Sequence, residues 1–366
     1  MAKLRYGIIG CGGCGRGKHL TSYSKMPDVE LVAVCDIIAS RANFAADQFN
    51  VEAAYTNYME MLAEEELDIV SVATPNHVHA PATIAALQAG CHVHCEKPAS
   101  LTPELVQAMV NAKDKSGKKL MIGLNNRFTP WAQFAKAYVA AGKLGEIYHA
   151  KCGWKRRRGI PGKGGWFTTK ACSGGGPLID LGVHYIDVCN YIMGFPKPIS
   201  VSGQTYSKFA EGQAFNPNAS GYTGTYDVED LAVGFVRYAG GLTLDIETSW
   251  ASNTESEYTF VELYGTEGGL KYEKGRLTLF SSFEGTQMNT TPLLAADGAW
   301  GLAETYHYID CIQNDKEPMS RPEEAVFVMK IINGLYESAD KGEEVKLSTA
   351  KVKAAKVDVK SPAFGK

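Results

Sequence analysis

The sequence predicts an α/β chain with an N-terminal, doubly wound parallel sheet and a C-terminal α+β domain built on an open, mostly antiparallel sheet. Three observations predict it. Short β-type runs alternate with helical stretches over the first 123 residues, a glycine-rich turn joins the first run to the first helix, and β-type runs follow one another directly beyond residue 124. The expected domains are residues 1–123 and 124–366.

The alternation begins with a strand over Leu4–Ile9, then the glycine turn and a helix near Gly17–Lys25. Strand Glu30–Cys35 and helix Ala39–Phe49 follow, then a short strand at Ala54–Thr56 and a helix over Tyr58–Ala63. Strand Ile69–Ala73 precedes helix Ala80–Ala89, strand His92–Cys95 precedes helix Pro103–Ser116, and Leu120–Ile122 is the last strand. In the second domain a helix over Trp131–Ala141 precedes strands at Ile147–Trp154, Ile199–Thr205, Asp230–Tyr238, Leu242–Trp250 and Tyr258–Tyr264. Gly240-Gly241 between two of these is a hairpin signal. Helices over Ala303–Gln313 and Pro322–Ser338 close the pattern, and the unpatterned stretch Phe209–Tyr226 reads as a long loop.

Composition narrows the function classes. A chain of 366 residues holds about two domains at roughly 150 residues each. With 45% hydrophobic and 21% charged residues it is an ordinary globular sequence. A net charge of -3 lacks the basic excess of a nucleic-acid binder, and no apolar run reaches membrane-spanning length. The apolar run after the first basic residues is too short for a secretion signal, so a cytoplasmic protein is expected. Nine cysteines spread over a long chain read as reduced, buried residues. Cys11 and Cys14 form a C-x-x-C inside the glycine turn, and Cys91-His-Val-His-Cys95 reads as a buried strand rather than a ligand set; no metal is expected.

Three constellations carry chemistry. Gly10, Gly12, Gly13, Cys14 and Gly15 form a G-x-G-x-x-G after a strand and before a helix, with Asp36 ending the second strand 21 residues after Gly15. Glycines there admit a pyrophosphate to backbone N–H groups at a helix N-terminus, and Asp36 can accept hydrogen bonds from ribose hydroxyls while repelling a 2′-phosphate. This is the fingerprint of a Rossmann domain and favours NAD over NADP, since Ile37 and Ile38 rather than a basic residue follow Asp36. The loop after the fourth strand, with Thr74, Asn76 and His79, and Glu96-Lys97-Pro98 after the fifth open onto the same crevice. Lys97 alone also reads as a solvated charge. Asp180 and His184 share a face if their segment is helical, as a carboxylate orienting a general base or as a cap and a core histidine.

Together these motifs resemble the glucose–fructose oxidoreductase / inositol dehydrogenase / MocA family over nearly the whole chain, including Gly123-Leu-Asn125-Asn-Arg-Phe128 and Arg321-Pro-Glu-Glu. The resemblance implies oxidation of one carbon of a sugar, glycoside or cyclitol with a nicotinamide cofactor, and oligomer contacts through the second-domain sheet. It makes Lys97, Asp180 and His184 the catalytic trio. Cofactor contacts are assigned to the glycine turn and Asp36, to Thr74, Asn76, His79, Glu96 and Lys97, and to Asn125 and Trp166. Substrate contacts are assigned to Lys97, Arg127, Arg158, Trp166, Asp180, His184 and Tyr306. The basic run Lys155-Arg-Arg-Arg158 is open to two readings, an anionic substrate or a solvated face. Trp166 likewise suits a sugar face or the core. The segment from Arg156 to Phe167 looks similar to family members that oxidise the 3-hydroxyl of glucosides, with inositol 2-dehydrogenase as the runner-up and a redox-neutral, NAD-using glycosidase as a third reading.

Overall fold

Apolar runs, most of them buried and rich in Ile and Val, joined by helices give the first sheet. The computed structural model describes residues 3–209, 224–296, 298, 299 and 301–359. Strands β1 (Leu4–Ile9), β2 (Val29–Cys35), β3 (Ala53–Tyr55), β4 (Ile69–Val72), β5 (His92–Glu96) and β6 (Leu120–Gly123) line up as β3-β2-β1-β4-β5-β6. Every pairing is parallel. Ile8, Val34, Ile69, Val70 and Val93 are fully buried in its core.

After β1 the chain enters a π-helical turn, Gly15–Leu20, that runs directly into α1 (Thr21–Tyr23). The other connections are α2 (Ala39–Phe49), α3 (Tyr58–Glu64), α4 (Asn76–Gln88) and α5 (Pro103–Ser116). Local chemistry fixes their ends: the Thr102 side chain accepts the Leu105 N–H with Pro103 in the first turn, and Gly117 closes α5 at φ 66°. α4 starts at Asn76 rather than at the expected Ala80, so Asn76 and His79 lie in its opening turns and not in a loop.

The second unit is a sheet of strands β7 (Ile147–Lys155), β8 (Pro198–Tyr206), β9 (Leu231–Tyr238), β10 (Thr243–Ser249), β11 (Tyr258–Gly265), β12 (Gly269–Glu273), β13 (Arg276–Phe283), β14 (Thr286–Thr290) and β15 (Val345–Lys346). Their order is β14-β13-β12-β11-β7-β10-β9-β8-β15, antiparallel except for the β7–β10 pair. Gly240 and Gly241 turn between β9 and β10 at φ 84° and 90°, as their hairpin signal requires. Helices α6 (Pro130–Ala140), α7 (Lys170–Ser173) and α8 (Val183–Met193) belong to this unit. Strands β12 to β14 escape the sequence pattern because the outer ones alternate weakly; β14 is exposed throughout.

The chain folds back across the expected boundary. Residues to Asn125 form one compact unit together with Gly298–Val326 and the chain from Val352, whereas Asn126–Asp297 and Phe327–Lys351 form the other. Helix α9 (Leu302–Gln313) therefore belongs with the parallel sheet, and α10 (Pro322–Lys341) starts there. Polar contacts explain this: the Tyr308 hydroxyl donates to Val93 O at 2.7 Å and the Ser320 hydroxyl to Ile122 O at 2.7 Å. The loop expected over Phe209–Tyr226 lies mostly outside the described residues. Among the described residues no helix is long and apolar enough to cross a membrane.

Candidate active site

In the first unit the glycine turn has the steric logic of its fingerprint. Gly10 sits at φ 102°, and a Cβ there would lie 2.4 Å from Ala73 O; at Gly15 it would lie 2.0 Å from Gly10 O. Both glycines are dictated by the protein's own backbone. At Gly12 and Gly13 a Cβ would meet nothing within 4 Å, which leaves open space above the turn. Asp36 ties the end of β2 to this turn: its Oδ2 accepts the Cys11 N–H and its Oδ1 the Ile38 N–H, each at 2.9 Å. A carboxylate retains further acceptor capacity after two such bonds. Asn125 follows β6, and its buried Oδ1 takes no hydrogen bond from the described residues. Open space over glycines at a helix start, a fixed carboxylate and an unsatisfied buried amide oxygen together fit a dinucleotide.

His79 and Glu96 are both buried and bonded to the protein's own groups. His79 Nδ1 and Nε2 face the carbonyls of Pro98 and Thr74 at 2.7 and 2.9 Å, bracing the loop after β4 against the Lys97-Pro98 segment, whose peptide bond is cis. Burial pushes the His79 pKa down. Glu96 is buried: Lys18 Nζ donates to its Oε1 at 2.5 Å, His19 Nε2 lies 2.9 Å from the same oxygen, and the Lys97 N–H reaches Oε2 at 3.2 Å. Lys18 also pairs with Glu304 at 2.7 Å. Burial alone would raise the Glu96 pKa, but Lys18 and His19 hold it well below the usual carboxylate value. Because ionised Glu96 only accepts, His19 carries its proton on Nε2, and its Nδ1 meets Ser71 Oγ at 3.0 Å. Glu96 thereby fixes the main chain of Lys97. Cys14, His19 and Glu96 bring ligand atoms within 4.8 Å of one another, yet the Lys18 ammonium already occupies the cationic position at Glu96. Tyr306, on α9, is half exposed.

In the second unit Asp180 lies in a π-helical turn, Leu178–Gly182, that runs directly into α8, where His184 is the second residue. Inserted π turns of this kind recur at functional sites, and the two side chains occupy consecutive turns as their spacing predicts. The start of the segment is fixed by Glu229, whose carboxylate accepts the N–H of Gly176 at 2.8 Å and of Leu178 at 3.1 Å, and the Tyr336 hydroxyl at 2.8 Å. Burial raises the Glu229 pKa against those hydrogen bonds. The Trp250 indole N–H donates to Asp180 Oδ2 at 2.9 Å, and the Trp154 ring lies 6.1 Å from the His184 ring. Trp166 is half-buried and stacks on Phe167 at 3.8 Å.

One substrate assignment is corrected. Arg127 is fully buried and clamps Asp187 through Nε at 2.8 Å and a terminal nitrogen at 2.5 Å, beneath the rings of Tyr191 and Phe195. It holds the unit together and is out of a substrate's reach. Arg158 is tied to the loop after β10 by Ser252 O at 3.0 Å and Asn253 Oδ1 at 2.9 Å. Arg156 pairs with the Glu257 carboxylate at 3.1 Å and Arg157 donates to Glu255 O at 3.3 Å, so the run is anchored by one ion pair and by neutral acceptors. Lys18, Glu229, Glu304 and Trp250 were missed, because each meets its partner only through tertiary folding.

The fold and the cofactor loops define a nicotinamide-dinucleotide oxidoreductase. The oxidoreductase-family model for an NAD-binding Rossmann fold, GFO_IDH_MocA, matches residues 4–124, and the GFO/IDH/MocA C-terminal domain matches 132–271. The chain belongs to this family. It is 34% identical to D-glucoside 3-dehydrogenase of Escherichia coli (strain K12) over 94% of this chain and 97% of that protein. It is 29% identical to levoglucosan dehydrogenase of Pseudarthrobacter phenanthrenivorans over 75% of each chain. A solved levoglucosan dehydrogenase in complex with NADH and L-sorbose shares the fold, with a TM-score of 0.85 at 24% identity over 96% of this chain and 100% of that one.

Proposed function

We propose that the protein oxidises a secondary ring hydroxyl of a pyranose or glycoside, with the 3-hydroxyl of a glucosyl unit first among candidates. The observation that carries this reading is the 34% identity to a D-glucoside 3-dehydrogenase along almost the full length of both chains. Gly10 to Gly15, Asp36 and Asn125 would hold NAD, which when bound supplies the hydride acceptor. His184 takes the proton from the substrate hydroxyl and Lys97 stabilises the charge developing on that oxygen. Asp180, held by Trp250 and one turn before His184, orients the base. Trp166 offers a ring face to the sugar. The same reading has the protein as a cytoplasmic homo-oligomer joined through the nine-stranded sheet, which light scattering tests directly.

The test is NADH formation by purified protein with NAD and a panel of glucosides, free sugars and inositols. Preferential turnover of glucosides, with the new ketone placed at carbon 3 by NMR, is the expected result. Turnover of inositol alone would overturn the substrate in favour of a cyclitol. Aglycone release without net NADH, from protein already carrying NAD, would replace the dehydrogenase by a redox-neutral glycosidase. Lys97→Ala and His184→Ala should each reduce kcat by about a hundredfold or more while NAD affinity stays within about threefold.

A further inference from the structure

Asp180 lies in the turn that runs into the helix carrying His184, and a donor to its carboxylate comes from the residue after β10. Trp250 follows β10 directly, and its own N–H donates to Asp230 O at 2.9 Å, so its backbone is anchored. Its side chain has no exposed surface and packs with Leu181 and Val228, against half-buried Trp154, Ile160, Phe167 and Tyr226. A buried indole N–H needs an acceptor. Here the acceptor is Asp180 Oδ2 at 2.9 Å rather than a backbone carbonyl. The ring cannot swing, so the donor has a fixed direction. At the other end of the segment Glu229 takes the N–H groups of Gly176 and Leu178, which fixes the backbone from which Asp180 projects.

We propose that Trp250 is a positioning residue for the reaction: its rigid indole N–H holds the Asp180 carboxylate in one orientation, and acts on turnover only through Asp180. The inference rests on the proposed role of Asp180 beside His184. A neutral donor on a carboxylate favours its charged form and stops it rotating. A packing role alone would give Trp250 an influence on stability that does not depend on which residue stands at 180.

The test is a double-mutant cycle on the full-length protein with Trp250→Phe and Asp180→Ala, read by single-turnover NADH formation with the best substrate of the panel. Trp250→Phe keeps an aromatic ring in the core and removes the donor. The expected result is a fall in kcat of about tenfold or more, with KM and NADH affinity within about twofold. The acidic limb of the kcat/KM profile should move to higher pH. In the Asp180→Ala background the same Trp250→Phe change should alter the residual rate by less than about twofold. Wild-type kcat and pH profile in Trp250→Phe, or an equal loss in both backgrounds, would overturn the proposal. Wild-type turnover in Asp180→Ala would instead overturn the role of Asp180 and, with it, the reading beneath. If Trp250→Phe does not fold, the wild-type indole N–H resonances decide. One of the five tryptophan signals should be lost or shifted by Asp180→Asn and titrate with the midpoint of the acidic limb. Absence of any such signal refutes the coupling.

Discussion

Replacing Arg127 by Met separates a structural role from a substrate role. The Arg127 and Asp187 side chains are 0% and 1% exposed, and two nitrogens of one reach both oxygens of the other at 2.8 and 2.5 Å. Methionine fills much of the same volume but leaves the Asp187 carboxylate buried without its partner. Breaking a buried pair in this way costs about 3–5 kcal/mol, because the remaining charge keeps its desolvation penalty and loses the compensation. Loss of the guanidinium between the Tyr191 and Phe195 rings, 5.0 and 5.2 Å away, adds to the same side. In a body of this size the sum corresponds to a fall in Tm of roughly 10 °C. Urea denaturation followed by tryptophan fluorescence, with turnover measured on the folded variant at low temperature, is the assay. The expected outcome is a large loss of stability with KM for the sugar within about twofold. Asp187→Leu in the same chain should restore most of the loss, since an apolar pair of similar volume replaces the ionic one. Normal stability with a raised KM would refute the reasoning and return Arg127 to the substrate.

The remaining predictions concern the first unit. Gly15→Ala drives a methyl to 2.0 Å from Gly10 O and should lower stability by about 1–3 kcal/mol, whereas Gly12→Ala has open space and should leave the Tm unchanged while weakening NAD binding measured by fluorescence titration. Equal effects of the two changes would contradict the steric argument. Asp36→Ala should narrow the preference for NAD over NADP in parallel initial-rate assays, and an unchanged ratio would mean another group reads the ribose. Burial lowers the His19 pKa to about 4 from an ordinary 6.5, so the folded form resists a proton that the unfolded chain accepts. Stability is then full above the unfolded value and falls as the pH drops toward the folded one. Between about pH 7 and pH 5 the loss from His19 is about 2 kcal/mol, and His19→Gln should flatten that slope in urea titrations. An identical slope in the variant would sink the assignment.

Local signals made the first unit legible. The first strand, Leu4–Ile9, and α5, Pro103–Ser116, have the expected limits because alternation, a threonine cap and a terminal glycine are properties of neighbouring residues. The same locality explains the failures. α4 begins four residues early: Pro75 sets the entry, and the helix accommodates Pro81 in its interior, which local signals alone argue against. Arg127 looked like a substrate contact since its position beside the Gly123-Leu-Asn125-Asn stretch was visible and its burial was not. The basic run stood open between an anionic substrate and a solvated face because its partners, from Ser252 to Glu257, lie about a hundred residues away.

By itself the sequence determined the layer architecture, the cofactor turn and the two residues, Asp180 and His184, that stand on consecutive turns. Each depends on spacing within a strand, a turn or a helix, and such spacing is written in the chain. Only the tertiary structure decided what surrounds them. It set Lys18 and His19 on Glu96, Trp250 on Asp180 and Asp187 on Arg127, across separations of 78, 77, 70 and 60 residues. Buried charges and indole N–H groups must find partners once water is removed. Which partner each finds is fixed by how strands and helices pack, and packing is a property of the whole fold.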